Sequence, residues 1–217
     1  MAMAALVCAH PAAARVLDRV VALVDGRVLS WSQLEFEARV MLIDRGGVEA
    51  ATAPLDASTL QGALDLAIAQ RAATAEADKL NAYPVDPAEI DQRMRTFESR
   101  FATPAAFEAF LKAHDADRAA LAEVLARAIR TEKFIEGRVR LRSQVPESDV
   151  RKAWEADHGG QSWEEARGPL RDRMQRERAF VLAREALGQL RTSIPVRIVA
   201  PPEQLVRDQL RLGEASR

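Results

Sequence analysis

Apolar positions along the chain follow a period of two near each end and a period close to 3.6 in between. Val20 to Val24 is a short β-branched run, Asp25-Gly26 supplies the two positive-φ positions of a tight hairpin turn, and Val28-Leu29 returns. Ser30 with Gln33 forms a capping box, and Leu34, Phe36, Ala38, Val40, Met41 and Ile43 spread a broad apolar face along a helix over 31–45, stopped by Gly46-Gly47. Beyond a connector at 50–54, Leu60, Leu64, Ala67, Ile68, Ala72 and Ala75 keep helical spacing to about Leu80, and Tyr83-Pro84 ends it.

Asp86-Pro87 and Thr103-Pro104 each pair a cap with Pro at the first helical position. The first opens a helix striped by Ile90, Met94, Phe97 and Phe101, the second a short one carrying Phe107, Phe110 and Leu111. A longer helix is expected over 117–141, and Pro146 opens another short one with Val150 and Trp154. Ser162 caps a last helix, expected to be interrupted at Gly168-Pro169 and to resume from Leu170 to Arg191. Ile194, Val196 and Ile198 alternate as a terminal strand. A lone strand leaves its backbone groups unpaired, so it must join the hairpin. The expected fold is mainly α, a multi-helix lobe with a small sheet built from the N-terminal hairpin and the C-terminal strand.

Composition sharpens this picture. Alanine contributes 41 of 217 residues while aromatics are 5%. Helices of this kind pack closely and bury little area each, so the core should be shallow or split. Lys+Arg 31 against Asp+Glu 32 gives a net charge of −1, which argues against a nucleic-acid domain. The arginines Arg171, Arg173, Arg176, Arg178 and Arg184 share their helix with Asp172, Glu177 and Glu185, the pattern of a solvated face.

Residues 1–14 carry no Asp, Glu, Lys or Arg, and Ala12-Ala13-Ala14 precedes Arg15, which reads as the latter part of a signal peptide cleaved near Ala14 and predicts export to a bacterial periplasm. The single cysteine, Cys8, falls inside that segment, so the mature chain has no disulfide.

Residues for catalysis are sparse. His114 and His158 sit beside loop signals without metal-ligand spacing, and there is no nucleophile elbow or phosphate-cradling glycine loop. The carboxylates alternate with arginine on polar helix faces and read as solvated ion pairs worth about a few tenths of a kcal/mol each. The expectation is a protein that is not an enzyme and holds no metal or cofactor.

The run Asp18-Arg19-Val20-Val21-Ala22-Leu23-Val24-Asp25-Gly26-Arg27-Val28-Leu29-Ser30 with Gln33-Leu34 resembles the opening of the SurA-type periplasmic chaperones. Residues 63–71, Ala75, Asp78 to Asn81 and Val85 to Asp91 resemble that family's second helix and its exit into the third. The similarity covers most of 16–155, with the last helix and strand resembling the family's C-terminal return. Full-length relatives insert parvulin-type prolyl isomerase domains after the short helix, whereas here only 158–161 separate that helix from Ser162. The resemblance therefore implies a chaperone body without isomerase activity. Its parts are a leader at 1–14, a helical domain at 15–155, a completing helix and strand at 156–200, and a tail at 201–217.

Such a body implies an ATP-independent holdase for unfolded outer-membrane or secreted polypeptides. It needs no nucleic acid and no stable membrane insertion. Apolar side chains beyond one helix face are the candidate peptide groove: Phe36, Met41, Met94, Phe97, Phe101, Phe107 and Phe110. The alternative is a structural module with one fixed partner, or a helix-exchanged homodimer.

Overall fold

The structure is a computed structural model that describes residues 18–156, 160 and 162–207. The expected leader with Cys8, His158 and most of the expected tail lie outside the described residues. In chain order the elements are β1 (Val20–Val24), β2 (Arg27–Ser30), α1 (Trp31–Asp44), α2 (Val48–Thr52), α3 (Ala57–Lys79), α4 (Pro87–Glu98), α5 (Pro104–Ala113), α6 (Arg118–Val139), α7 (Glu147–Ala156), α8 (Trp163–Arg191) and β3 (Val196–Ile198).

The two chain ends meet in one antiparallel sheet of order β2-β1-β3, with Val24 opposite Arg27 and Ala22 opposite Ile198. Asp25 and Gly26 adopt φ of 51° and 74°, the left-handed pair that a two-residue hairpin needs. Backbone donors at the strand ends are taken up across the sheet: Asp25 N–H donates to Pro195 O at 2.9 Å and Val199 N–H to Val21 O at 2.8 Å. The hairpin is tied to α1 through Asp18, whose carboxylate accepts from the Ser32 N–H at 3.1 Å and from the Ser32 hydroxyl. Burial raises the Asp18 pKa, but these hydrogen bonds and one from Ser30 outweigh it and hold the carboxyl below its ordinary value.

The helix starts follow the sequence signals. Ser30 with Gln33 and Asp86 with Glu89 form capping boxes, and Asp56, Thr103 and Asp117 accept from backbone N–H groups of the first turn. The connector expected at 50–54 is partly helical, because α2 forms directly after Gly47. Part of the expected tail is also helical: residues 202–207 fold back, and Leu205 is buried in the main core.

The core is split in two. One cluster joins the sheet to α1, α3, α6 and α8 through Val21, Leu29, Leu34, Leu64, Phe134 and Leu190. The other joins α1 to α4, α5 and α6. Helix α1 serves both, sending Leu34 and Ala38 to the first and Phe36, Val40 and Ile43 to the second. That division is the reason its apolar face is broad.

Helix α8 runs unbroken through Gly168-Pro169, contrary to the expected interruption. A proline in a helix leaves the carbonyl four residues earlier without its donor. Here that carbonyl belongs to Glu165, and Glu165, Gly168 and Pro169 are all exposed, so water can take the donor's place. The 29 residues span about 43 Å and carry two apolar stripes on nearly opposite sides. Ala183, Ala186 and Leu190 pack with the main core against α3 and α6. Trp163, Ala166, Leu170 and Met174 form the other stripe, toward α7, where the Trp154 and Trp163 rings meet edge to face at 5.8 Å.

Candidate functional site: an apolar cleft between four helices

Alanines at facing positions leave a gap between α1, α3, α6 and α8. Ala63 and Ala67 on α3 and Ala128 on α6 are too small to fill the space that Met41, Leu66, Val124 and Leu187 surround, and an open cleft of about 510 Å³ remains. Its volume lies in the range of about 300–1,000 Å³ typical of pockets for small molecules or short segments. Thr131 also lines the wall, but its hydroxyl is turned to the Arg127 carbonyl of its own helix at 2.8 Å, which leaves that wall effectively apolar.

Carboxylates mark the rim: Glu37 and Asp44 on α1, Glu132 and Glu136 on α6. Three of them hold the helices together. Glu37 accepts from Arg71 of α3 at 2.7 and 3.0 Å and from Arg127 of α6 at 2.6 Å. Arg93 of α4 spans Asp44 and Glu132 at 2.8 and 2.5 Å. Glu136 is exposed and is in no ion pair among the described residues.

The Glu37 cluster corrects the expectation that all carboxylates are solvated. Glu37 retains only 10% of its side-chain exposure, Arg71 19% and Arg127 20%. Burial pulls the Arg127 guanidinium below its ordinary pKa; Glu37 opposes that shift and the neighbouring Arg71 adds to it. The Nε of Arg127 has no hydrogen-bond partner, so the carboxylate of Glu37 is its principal compensation. Arg39 is likewise buried, and pairs with Glu35 at 2.8 Å.

The seven residues expected to line a groove separate. Phe36, Phe97, Phe107 and Phe110 are buried in the second core cluster, and Phe97 is 0% exposed. Phe101 and Met94 pack against that cluster. The five rings lie 5.4–6.4 Å apart, centroid to centroid, so they satisfy one another instead of facing a groove. Of the seven, Met41 lines the cleft. Leu66, Val124, Ala128 and Leu187 were not among the residues expected to line a groove. On α3 the signal is a widening of the apolar face, as Ala63 and Leu66 lie beside the stripe of Leu60, Leu64, Ala67 and Ile68.

His114 is a half-buried residue at the end of α5 and not a freely solvated one: its ring lies 5.0 Å from Phe110 and 6.2 Å from Phe36. Among the described residues no group of three or more His, Cys, Asp or Glu is placed to hold a metal ion, and no helix is long and apolar enough to cross a membrane. No family model, curated protein or solved structure significantly matches the chain.

Proposed function

We propose that the protein is an ATP-independent holdase of the SurA type, acting in the periplasm on unfolded outer-membrane or secreted polypeptides. The observation that carries this reading is the open apolar cleft between α1, α3, α6 and α8. It takes apolar side chains of an extended segment, while rim carboxylates such as Glu136 accept from the segment's N–H groups. Met41 on the wall adapts its shape to varied side chains, as a client-tolerant surface requires. The resemblance over 16–155 supports the same reading, and the lack of a counterpart to the parvulin histidines supports binding without isomerase activity. The cleft replaces the phenylalanine cluster as the proposed client site.

The test is suppression of aggregation of a denatured outer-membrane protein at stoichiometric ratio. The wild-type chain should suppress it, and Ala128→Phe, which fills the cleft from a half-buried position, should weaken suppression while leaving the melting temperature within a few degrees. Absence of suppression by the wild type overturns the holdase reading. Full suppression by a folded Ala128→Phe variant moves the site away from the cleft.

A further inference from the structure

The two most exposed large apolar side chains among the described residues, and a third beside one of them, lie outside the cleft. Leu141, just past α6, is 72% exposed, and Phe180 and Val181 of α8 are 71% and 54% exposed. One hydrogen bond relates the two segments: Arg178 donates to the Gln144 carbonyl at 3.3 Å, which brings this part of α8 beside the chain that follows α6. Phe180 and Val181 lie two and three residues past Arg178, and Leu141 three residues before Gln144.

The charge along these two segments has one sign. No acidic residue occurs from 137 to 146 or from 178 to 184, while Arg140, Arg142, Arg178 and Arg184 are all exposed there. None of the four makes an ion pair among the described residues, unlike the arginines that tie the lobe together. The bordering acids are Glu136 and Glu147, the latter paired with Arg171, and on α8 Glu177, which faces Arg173 at 4.0 Å, and Glu185. The apolar residues line neither the cleft nor the shallower hollows beside α4 and at the α5–α6 turn.

From this we infer that the α6–α8 surface around Leu141, Phe180 and Val181 docks on an anionic phospholipid surface. Exposed apolar side chains beside arginines that are in no ion pair among the described residues suit a fluid layer, into which Leu and Phe insert while guanidiniums meet lipid phosphates. Docking is peripheral, since among the described residues no helix is long and apolar enough to cross a membrane.

The experiment is co-sedimentation of the full chain with phosphatidylcholine vesicles, with and without phosphatidylglycerol. Binding is expected only to the anionic vesicles and should fall with added salt. Each of Arg140→Gln and Arg142→Gln should weaken partitioning about fivefold, the equivalent of ~1 kcal/mol apiece beside an anionic surface. Leu141→Ser with Phe180→Ser should weaken it further at unchanged charge. All four positions are exposed, so the melting temperature should stay within a few degrees of the wild type, which separates lost docking from lost fold. No binding to anionic vesicles, or equal binding to neutral ones, overturns the inference. Binding that depends on the arginines but ignores Leu141→Ser with Phe180→Ser also overturns it, and marks a general polyanion site. None of these readouts involves a client, so they stand apart from the holdase assay.

Discussion

Replacing Glu37 by Gln removes the negative charge that accepts from both Arg71 and Arg127 at the junction of α1, α3 and α6, while keeping the size of the side chain. Two guanidiniums, each at least four-fifths buried, then share a neutral acceptor, and Arg127 already has an unpartnered Nε. Breaking a buried ion pair from one side costs about 3–5 kcal/mol, because the remaining charge stays desolvated. The amide of Gln still accepts one hydrogen bond, so the lower end of that range applies, about 3 kcal/mol. For a chain of this size that lowers the melting temperature by about 10 °C. Circular dichroism melts of Glu37→Gln beside the wild type give the number, and adding salt should not close the gap, since buried pairs are weakly screened. A companion variant, Glu37→Leu with Arg71→Met and Arg127→Met, removes every charge of the cluster and should lie within about 1 kcal/mol of the wild type. A loss below about 1 kcal/mol in Glu37→Gln, or a companion variant that falls just as far, refutes the view that desolvation governs this junction.

Three further outcomes follow from the packing. Phe97→Ala empties the centre of the second core cluster and should cost about 3–5 kcal/mol in thermal or urea unfolding; a loss under about 1 kcal/mol means the cluster collapses freely. Burial, assisted by Arg39 and opposed by Glu35, holds the His114 pKa below 6.5, so the unfolded chain binds the proton more tightly. Stability should therefore fall as pH drops through and below about 6.5, and His114→Phe should flatten that part of the pH profile. Deleting residues 194–199 removes β3, the buried Ile194 and the acceptor of Asp25, and should abolish the cooperative melt; a truncation as stable as the whole chain would show the sheet to be dispensable.

Much of the architecture was legible in the chain because the signals are local. Asp25-Gly26 specifies its turn by φ alone, Ser30 and Asp86 cap helices with their own third residues, and a lone terminal strand has to find the hairpin to pair its backbone. Low aromatic content and abundant alanine likewise pointed to a divided core. Where local rules meet the environment, they fail. Pro169 stays within α8 because the carbonyl it deprives of a donor faces water, and Leu205 folds back because the main core offers it burial.

What sequence could not decide is which apolar face meets which neighbour. Phenylalanines at helical spacing are equally consistent with a groove or with a closed cluster, and only the convergence of α1, α4, α5 and α6 turns Phe36, Phe97, Phe107 and Phe110 onto one another. The cleft arises from the opposite cause: alanines on three-dimensionally opposed faces, Ala63 and Ala67 against Ala128, whose smallness matters only once the helices are packed. Glu37 is one more carboxylate on a helix until tertiary contacts bring Arg71 and Arg127, 34 and 90 residues away along the chain, to the same buried point. The sequence by itself determined the order, the ends and the caps of the elements, since those are set by a few neighbouring residues. The tertiary structure alone decided what is buried, what is paired and where an apolar cleft opens, because those depend on distances the chain closes only by folding.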